Sequence, residues 1–91
     1  MALIDDVKLA LRISGTATDT EISDLILSAK ADLGLSGISV VDTDALTKRA
    51  ISLYCKANYG YDNPDVDKFQ KSYLDLKTFL SSAADYAKAV T

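Results

Sequence analysis

Carboxylates are the most plentiful reactive groups in this chain, thirteen Asp and Glu against ten Lys and Arg. Proton-transfer or hard-cation chemistry would have to be built from them, because paired carboxylates can split acid and base roles or share a metal. The candidate clusters are Asp5-Asp6, Asp42/Asp44 and Asp62/Asp65/Asp67. Each falls where a helix is about to begin, and there acids satisfy orphan amides and favour the helix dipole. The Asp62/Asp65/Asp67 group also lacks the turn glycine and the closing Glu of a calcium loop. Cys55 is the only thiol, and there is no histidine to act as its base. Its neighbour Lys56 points about 100° away around a helix, so Cys55 reads as a small apolar residue. Gly15 and the Gly34/Gly37 pair are not followed by Gly-Lys-Ser/Thr, so no phosphate loop is present. Tyr54, Tyr59, Tyr61, Phe69, Tyr73 and Phe79 would suit base stacking in a basic protein. In an acidic one they predict a helix–helix contact zone around the 58–64 turn. No catalytic residue, metal site or cofactor site emerges, and the chain is not expected to be an enzyme.

The elements that position these residues follow from periodicity. Leu3, Val7, Ala10 and Leu11 mark one face of a short first helix. Gly15 sits in a polar loop, and Thr18-Asp19-Thr20-Glu21 has the pattern of a capping box. Ile22, Leu25, Ile26, Ala29 and Leu33 form the stripe of a second helix, with Gly34 and Gly37 as its stops. Ile38-Ser39-Val40-Val41 is β-prone but lacks a partner strand and reads as a packed loop. Asp42-Thr43-Asp44 caps a third helix whose stripe is Leu46, Ala50, Leu53, Tyr54 and Ala57, closed by Gly60. Asn63 caps a fourth with Pro64 at its first position, carrying Val66, Phe69, Tyr73, Leu76 and Leu80. Phe69 is the expected core anchor, facing Leu53 or Tyr54. Ala83, Ala87 and Val90 keep the same phase, so residues 81–91 extend that helix or fray from it. The prediction is all-α, a compact four-helix domain with short loops over residues 1–91.

Composition narrows the function. At 91 residues and 48% apolar content, the chain has ordinary globular usage. A domain this small buries only about 60–65% of its unfolded surface, and without staples such domains often gain stability by oligomerising. A single cysteine excludes an internal disulfide. Net charge −3 disfavours simple nucleic-acid binding. No apolar run approaches the roughly 20 residues that span a bilayer, and the acidic start is unlike a secretory leader, so the protein is expected to be soluble and made in a reducing cytosol.

Apolar residues outside the core stripes point to self-association. Leu27 lies about 140° from Ile22, with Ala31 and Leu35 on the same far side. Leu74 lies about 140° from Phe69, and Cys55 about 140° from Ala50. Leu27, Ala31, Leu35, Cys55 and Leu74 are therefore the candidate subunit-interface residues.

The ordered segments resemble a known family. Leu3-Ile4-Asp5-Asp6-Val7-Lys8-Leu9-Ala10-Leu11-Arg12-Ile13 is similar to the opening of the phage head–tail connector, or adaptor, proteins. Asp19-Thr20-Glu21-Ile22 through Ala29-Lys30-Ala31-Asp32-Leu33 resembles their next element. Lys48-Arg49-Ala50 through Lys56-Ala57-Asn58-Tyr59-Gly60 resembles their third helix, and Asn63-Pro64 with Phe69, Tyr73 and Leu76 to Leu80 follows the last. The likeness covers roughly residues 3–80. It implies a structural virion protein of a tailed phage or prophage, at the head–tail junction and assembled in the bacterial cytoplasm. The implied partners are further copies of itself in a ring, typically twelve-membered, the portal protein above, and a stopper or tail-completion protein below. DNA would pass through the ring without specific binding, and neither cofactor nor membrane is implied. The chain is shorter than many of these relatives and shows no obvious long arm after residue 80; if portal docking depends on such an arm, residues 81–91 would have to supply it alone.

Other small acidic helical interaction modules are the alternatives. An acyl carrier needs Asp-Ser-Leu at a helix start, whereas this chain has Ser23-Asp24-Leu25 inside one. A helix-turn-helix regulator needs a recognition helix rich in Lys and Arg, and the most basic stretch, Lys48 to Lys56, shares its helix with Asp42 and Asp44.

Overall fold

In the computed structural model, which describes residues 3–59, 64–83 and 86, the apolar periodicity resolves into four helices. These are α1 (Leu3–Leu11), α2 (Asp19–Leu35), α3 (Ala45–Asn58) and α4 (Val66–Ser82). No strand occurs among the described residues, and the fold is all-α. α3 lies at the centre, packed against each of the other helices, while α1 also touches α2. The core unites Val7 of α1, Ile22, Ile26, Ala29 and Leu33 of α2, Ala50, Ile51, Leu53 and Cys55 of α3, and Tyr73 and Leu80 of α4.

Cys55 is a correction. The thiol is fully buried and is not available to a neighbouring subunit. The 140° offset from Ala50 assumed one packing face on α3. Three helices surround α3, and Thr47, Ala50, Ile51, Leu53 and Cys55 are all buried around it. Phe69 is a second correction. It is only partly buried and lies beside Leu53, with the Lys56 ammonium 5.3 Å from its ring centroid. The anchor of α4 is Tyr73, which meets Tyr54 edge-on at 5.3 Å between centroids. Phe79 stands exposed, outside the aromatic contact zone, and Tyr61 lies outside the described residues.

The helix ends separate caps that form from caps that do not. α2 closes as a Schellman motif: the Ile38 amide donates to Leu33 O and the Gly37 amide to Gly34 O. Gly37 takes φ +81, the left-handed conformation that glycine adopts without strain. Gly34 remains inside the helix. Ile38 and Leu33, brought together by the motif, are both fully buried. At the start of α3, Asp44 is extended (φ −78, ψ 133) and accepts from the Leu46 and Thr47 amides, each at 3.0 Å. At the start of α2, Thr18 is not extended (φ −111, ψ 13) and makes no side-chain cap bond. Asp19 turns instead to Lys8 of α1, at 2.8 Å, and the same ammonium donates to the Gly15 carbonyl. The expected capping box is thus replaced by a clasp across the α1–α2 loop.

α4 begins at Val66 after a turn at Pro64-Asp65, two residues later than the sequence pattern predicts, and Asn63 and Gly60 lie outside the described residues. It ends at Ser82, because Ala83 is extended (ψ 127). Tyr86 then bonds back to the loop before α3: its carbonyl accepts from the Ser39 amide at 2.6 Å and its hydroxyl donates to Asp44 at 3.0 Å.

These ends make a paired prediction. Asp44→Ala should lower the melting temperature measurably, since it removes the carboxylate that accepts from the Leu46 and Thr47 amides and from the Tyr86 hydroxyl. Thr18→Ala should leave it nearly unchanged. Equal losses in calorimetry would overturn this assignment of the caps.

Candidate functional site

Beyond the core, two surfaces and one polar cluster bear on function. The first surface is the outer strip of α2. Ile22, Ile26, Ala29 and Leu33 are buried, and Asp24, Ser28, Ala31 and Leu35 follow each of them by two residues, about 200° round the helix. That rotation exposes Ala31 and leaves Leu35 at 90% of full exposure, and Leu27, about 140° from Ile22, is 63% exposed. Glu21 and Asp24, at the amino end of the strip, are exposed too. The strip is therefore acidic at one end and apolar at the other. Leu74 is 47% exposed and Phe79 57%, and both stand on α4. The fold thus leaves Leu27, Ala31, Leu35 and Leu74 at the surface, with only the α2 residues sharing a face.

The second surface is an open groove of about 410 Å³ between α1 and α4, with α3 as its floor. Ala45, Arg49, Ser52 and Lys56 recur at spacings of four, three and four, which places them on one strip of α3. α1 contributes Asp6 and Ala10, and α4 contributes Lys68, Phe69 and Ser72. Four of the ten cations, Lys48, Arg49, Lys56 and Lys68, border this groove, with one carboxylate among the described lining residues. That carboxylate, Asp6, is committed to Lys48 at 3.3 Å. The periodicity of apolar residues does not reveal the groove. The signal that could have found it is the run of small and basic residues at helical spacing along α3.

The polar cluster joins α2 to α4. Asp32 accepts from the Tyr73 hydroxyl and pairs with Lys77 at 3.0 Å, and the Lys77 ammonium lies 5.3 Å from the Tyr73 ring centroid. The Tyr73 hydroxyl chiefly holds the Asp32 carboxyl below the ordinary carboxylate range, with burial opposing and Lys77 assisting. Asp44 is depressed as well, chiefly by the Thr47 amide. Both bind their proton more weakly folded than unfolded. Each therefore stabilises the fold above the unfolded value near pH 4, and that stabilisation is lost as pH falls through it toward the lower folded values. The melting temperature should fall below about pH 4, and Asp32→Asn should flatten part of that decline. An unchanged acid slope in the variant would show that Asp32 is not linked to folding.

Among the described residues, no group of three His, Cys, Asp or Glu is placed to hold a metal, and no helix is long and apolar enough to cross a membrane. Burial pushes the Cys55 thiol up to about 12, which keeps it protonated at neutral pH. Ser23-Asp24-Leu25 lies within α2, past its first residues. What the arrangement offers is surface: an acidic-to-apolar strip on one helix and a basic groove elsewhere.

Residues 3–87 match the family model described as phage connector protein. No curated protein and no solved structure matches the chain.

Proposed function

We propose that this chain, which belongs to the phage connector protein family, serves its structural connector role as one subunit of a homo-oligomeric ring at the head–tail junction of the virion. The portal protein lies on one side of the ring and a stopper or tail-completion protein on the other. The ring prolongs the DNA channel, and its work is mechanical continuity rather than catalysis. The observation that carries this reading is the family match over residues 3–87, which spans all four helices.

Physical features agree with it. Closed rings need heterologous contacts, in which one face of a subunit meets a different face of the next. The Leu27, Ala31 and Leu35 strip on α2 and Leu74 on α4 are apolar surfaces that assembly would cover. Each is small, so the free protein is monomeric in dilute solution and assembles at high concentration or on the portal. A net charge of −3 suits a conduit, because a wall that does not collect phosphates lets DNA slide.

Leu27→Lys tests the reading. The substituted side chain is exposed, so folding stability should stay within about 1 kcal/mol of the parent. Oligomer mass by light scattering, with the portal protein present and absent, should fall to that of the monomer. A variant that unfolds would place Leu27 in the core. One that folds and still assembles would remove the α2 strip from the interface.

A further inference from the structure

We infer that the basic groove between α1, α3 and α4 receives the acidic end of the α2 strip from a second copy of this chain. The inference rests on the ring reading above and specifies its junction. Three observations point to it.

The first is charge complementarity. The chain as a whole is acidic, yet Lys48, Arg49, Lys56 and Lys68 gather round one groove, where Asp6 is the carboxylate among the described lining residues. On α2, Glu21 and Asp24 are exposed one turn apart. One surface is mainly basic and the other acidic, and such complementarity aligns partners and sets register.

The second is the chemistry of the groove floor. A groove meant only for phosphate needs cations and amides. This one also holds Leu53 and the part-buried Phe69 ring, with Lys56 above that ring. Carboxylates followed one turn later by an aliphatic side chain match such a floor, and Glu21, Asp24 and Leu27 have that order.

The third is placement. α2 reaches α3 on the side of Tyr54 and Asn58, where Asp32 of α2 and Tyr73 of α4 line a common cleft. On α3, Tyr54 lies roughly 160° from the line through Ala45, Arg49, Ser52 and Lys56. The groove therefore opens on the side of α3 away from α2, whose outer strip faces the other way. A head-to-tail contact needs that arrangement, since one subunit can give its strip to one neighbour and its groove to the other. Burying the cations at each junction would also keep them from the DNA in the channel.

The test is a charge swap between copies. One variant carries Arg49→Glu and Lys68→Glu, the other Glu21→Lys and Asp24→Lys, and all four side chains are exposed. Circular dichroism melts establish that both remain folded. Sedimentation velocity over a concentration series then follows self-association, alone and on the portal protein. Each variant by itself should need roughly tenfold more protein or more to assemble, or should not assemble. An equimolar mixture should recover the parent's assembly, because every junction then pairs opposite charges. If both variants assemble like the parent, the inference is wrong and the ring reading stands on the parent's behaviour. If they fail and the mixture fails too, the two surfaces are not each other's partners. If reversing the groove weakens only duplex DNA retention, with self-association untouched, the groove is a phosphate contact. A parent that never assembles, even on the portal protein, overturns the ring reading and this junction with it.

Discussion

Tyr73→Ala should destabilise the protein by about 3–5 kcal/mol, the usual cost of deleting a large buried aromatic side chain. For a domain of this size that lowers the melting temperature by more than about 12 °C and leaves much of the chain unfolded at physiological temperature. The side chain is 4% exposed, packs edge-on against Tyr54, and gives its hydroxyl to Asp32. One residue thus joins α4 to both α3 and α2. Tyr73→Phe separates the contributions. It keeps the ring and removes the hydroxyl from a carboxylate that still holds Lys77 at 3.0 Å, so the cost should be about 1 kcal/mol. Calorimetry should rank the parent above Tyr73→Phe and Tyr73→Phe well above Tyr73→Ala. If the alanine variant melts within about 1 kcal/mol of the parent, Tyr73 is not the anchor of α4.

Cys55→Lys should be as damaging, for a different reason. The site is fully enclosed, so an ammonium placed there would be taken out of water at a large desolvation cost. The expected loss is several kcal/mol, against about 1 kcal/mol for Cys55→Ala, which removes little more than one buried apolar group. A chemical readout is independent of mutation. With its thiol pushed up to about 12 and shielded from solvent, Cys55 should resist a thiol reagent at pH 8 and react at full rate only in denaturant. Rapid labelling of the native protein would return Cys55 to the surface, and with it the possibility of an interface role.

Both predictions depend on which side of a helix has company. Local sequence signals were reliable where the physics is local. The period of apolar residues reveals four helices because side chains three and four apart share a face whatever surrounds them. Gly37 ends α2 because only a residue at ease in the left-handed region closes a Schellman motif. Asp44 caps α3 because its own backbone is extended and its carboxylate reaches the next amides. Thr18 has the right side chain for the same task and fails, since its backbone is not extended and Lys8 claims the neighbouring Asp19. A cap is a sequence pattern plus a dihedral angle, and the angle is set by how α1 and α2 meet.

The candidate surfaces divide in the same way. Leu27, Ala31, Leu35 and Leu74 were placed off the core by wheel geometry alone, because α2 and α4 each bury one principal face. Cys55 was misplaced by the same geometry, because α3 is enclosed by three neighbours and buries a far wider arc than one stripe. Phe69 and Tyr73 share a stripe, and nothing in their spacing says which is enclosed. The packing of Tyr54 and Asp32 against Tyr73 decided that. The basic groove was illegible for a further reason: its cations come from two helices, and its acid from a third. Their sequence shows only charges arranged to favour helix dipoles. Helix periods and the Gly37 stop are properties of the backbone and its nearest side chains, and so were determined by the sequence alone. The breadth of each buried face and the gathering of charge on one side depend on which helices become neighbours, and only the tertiary structure decided them.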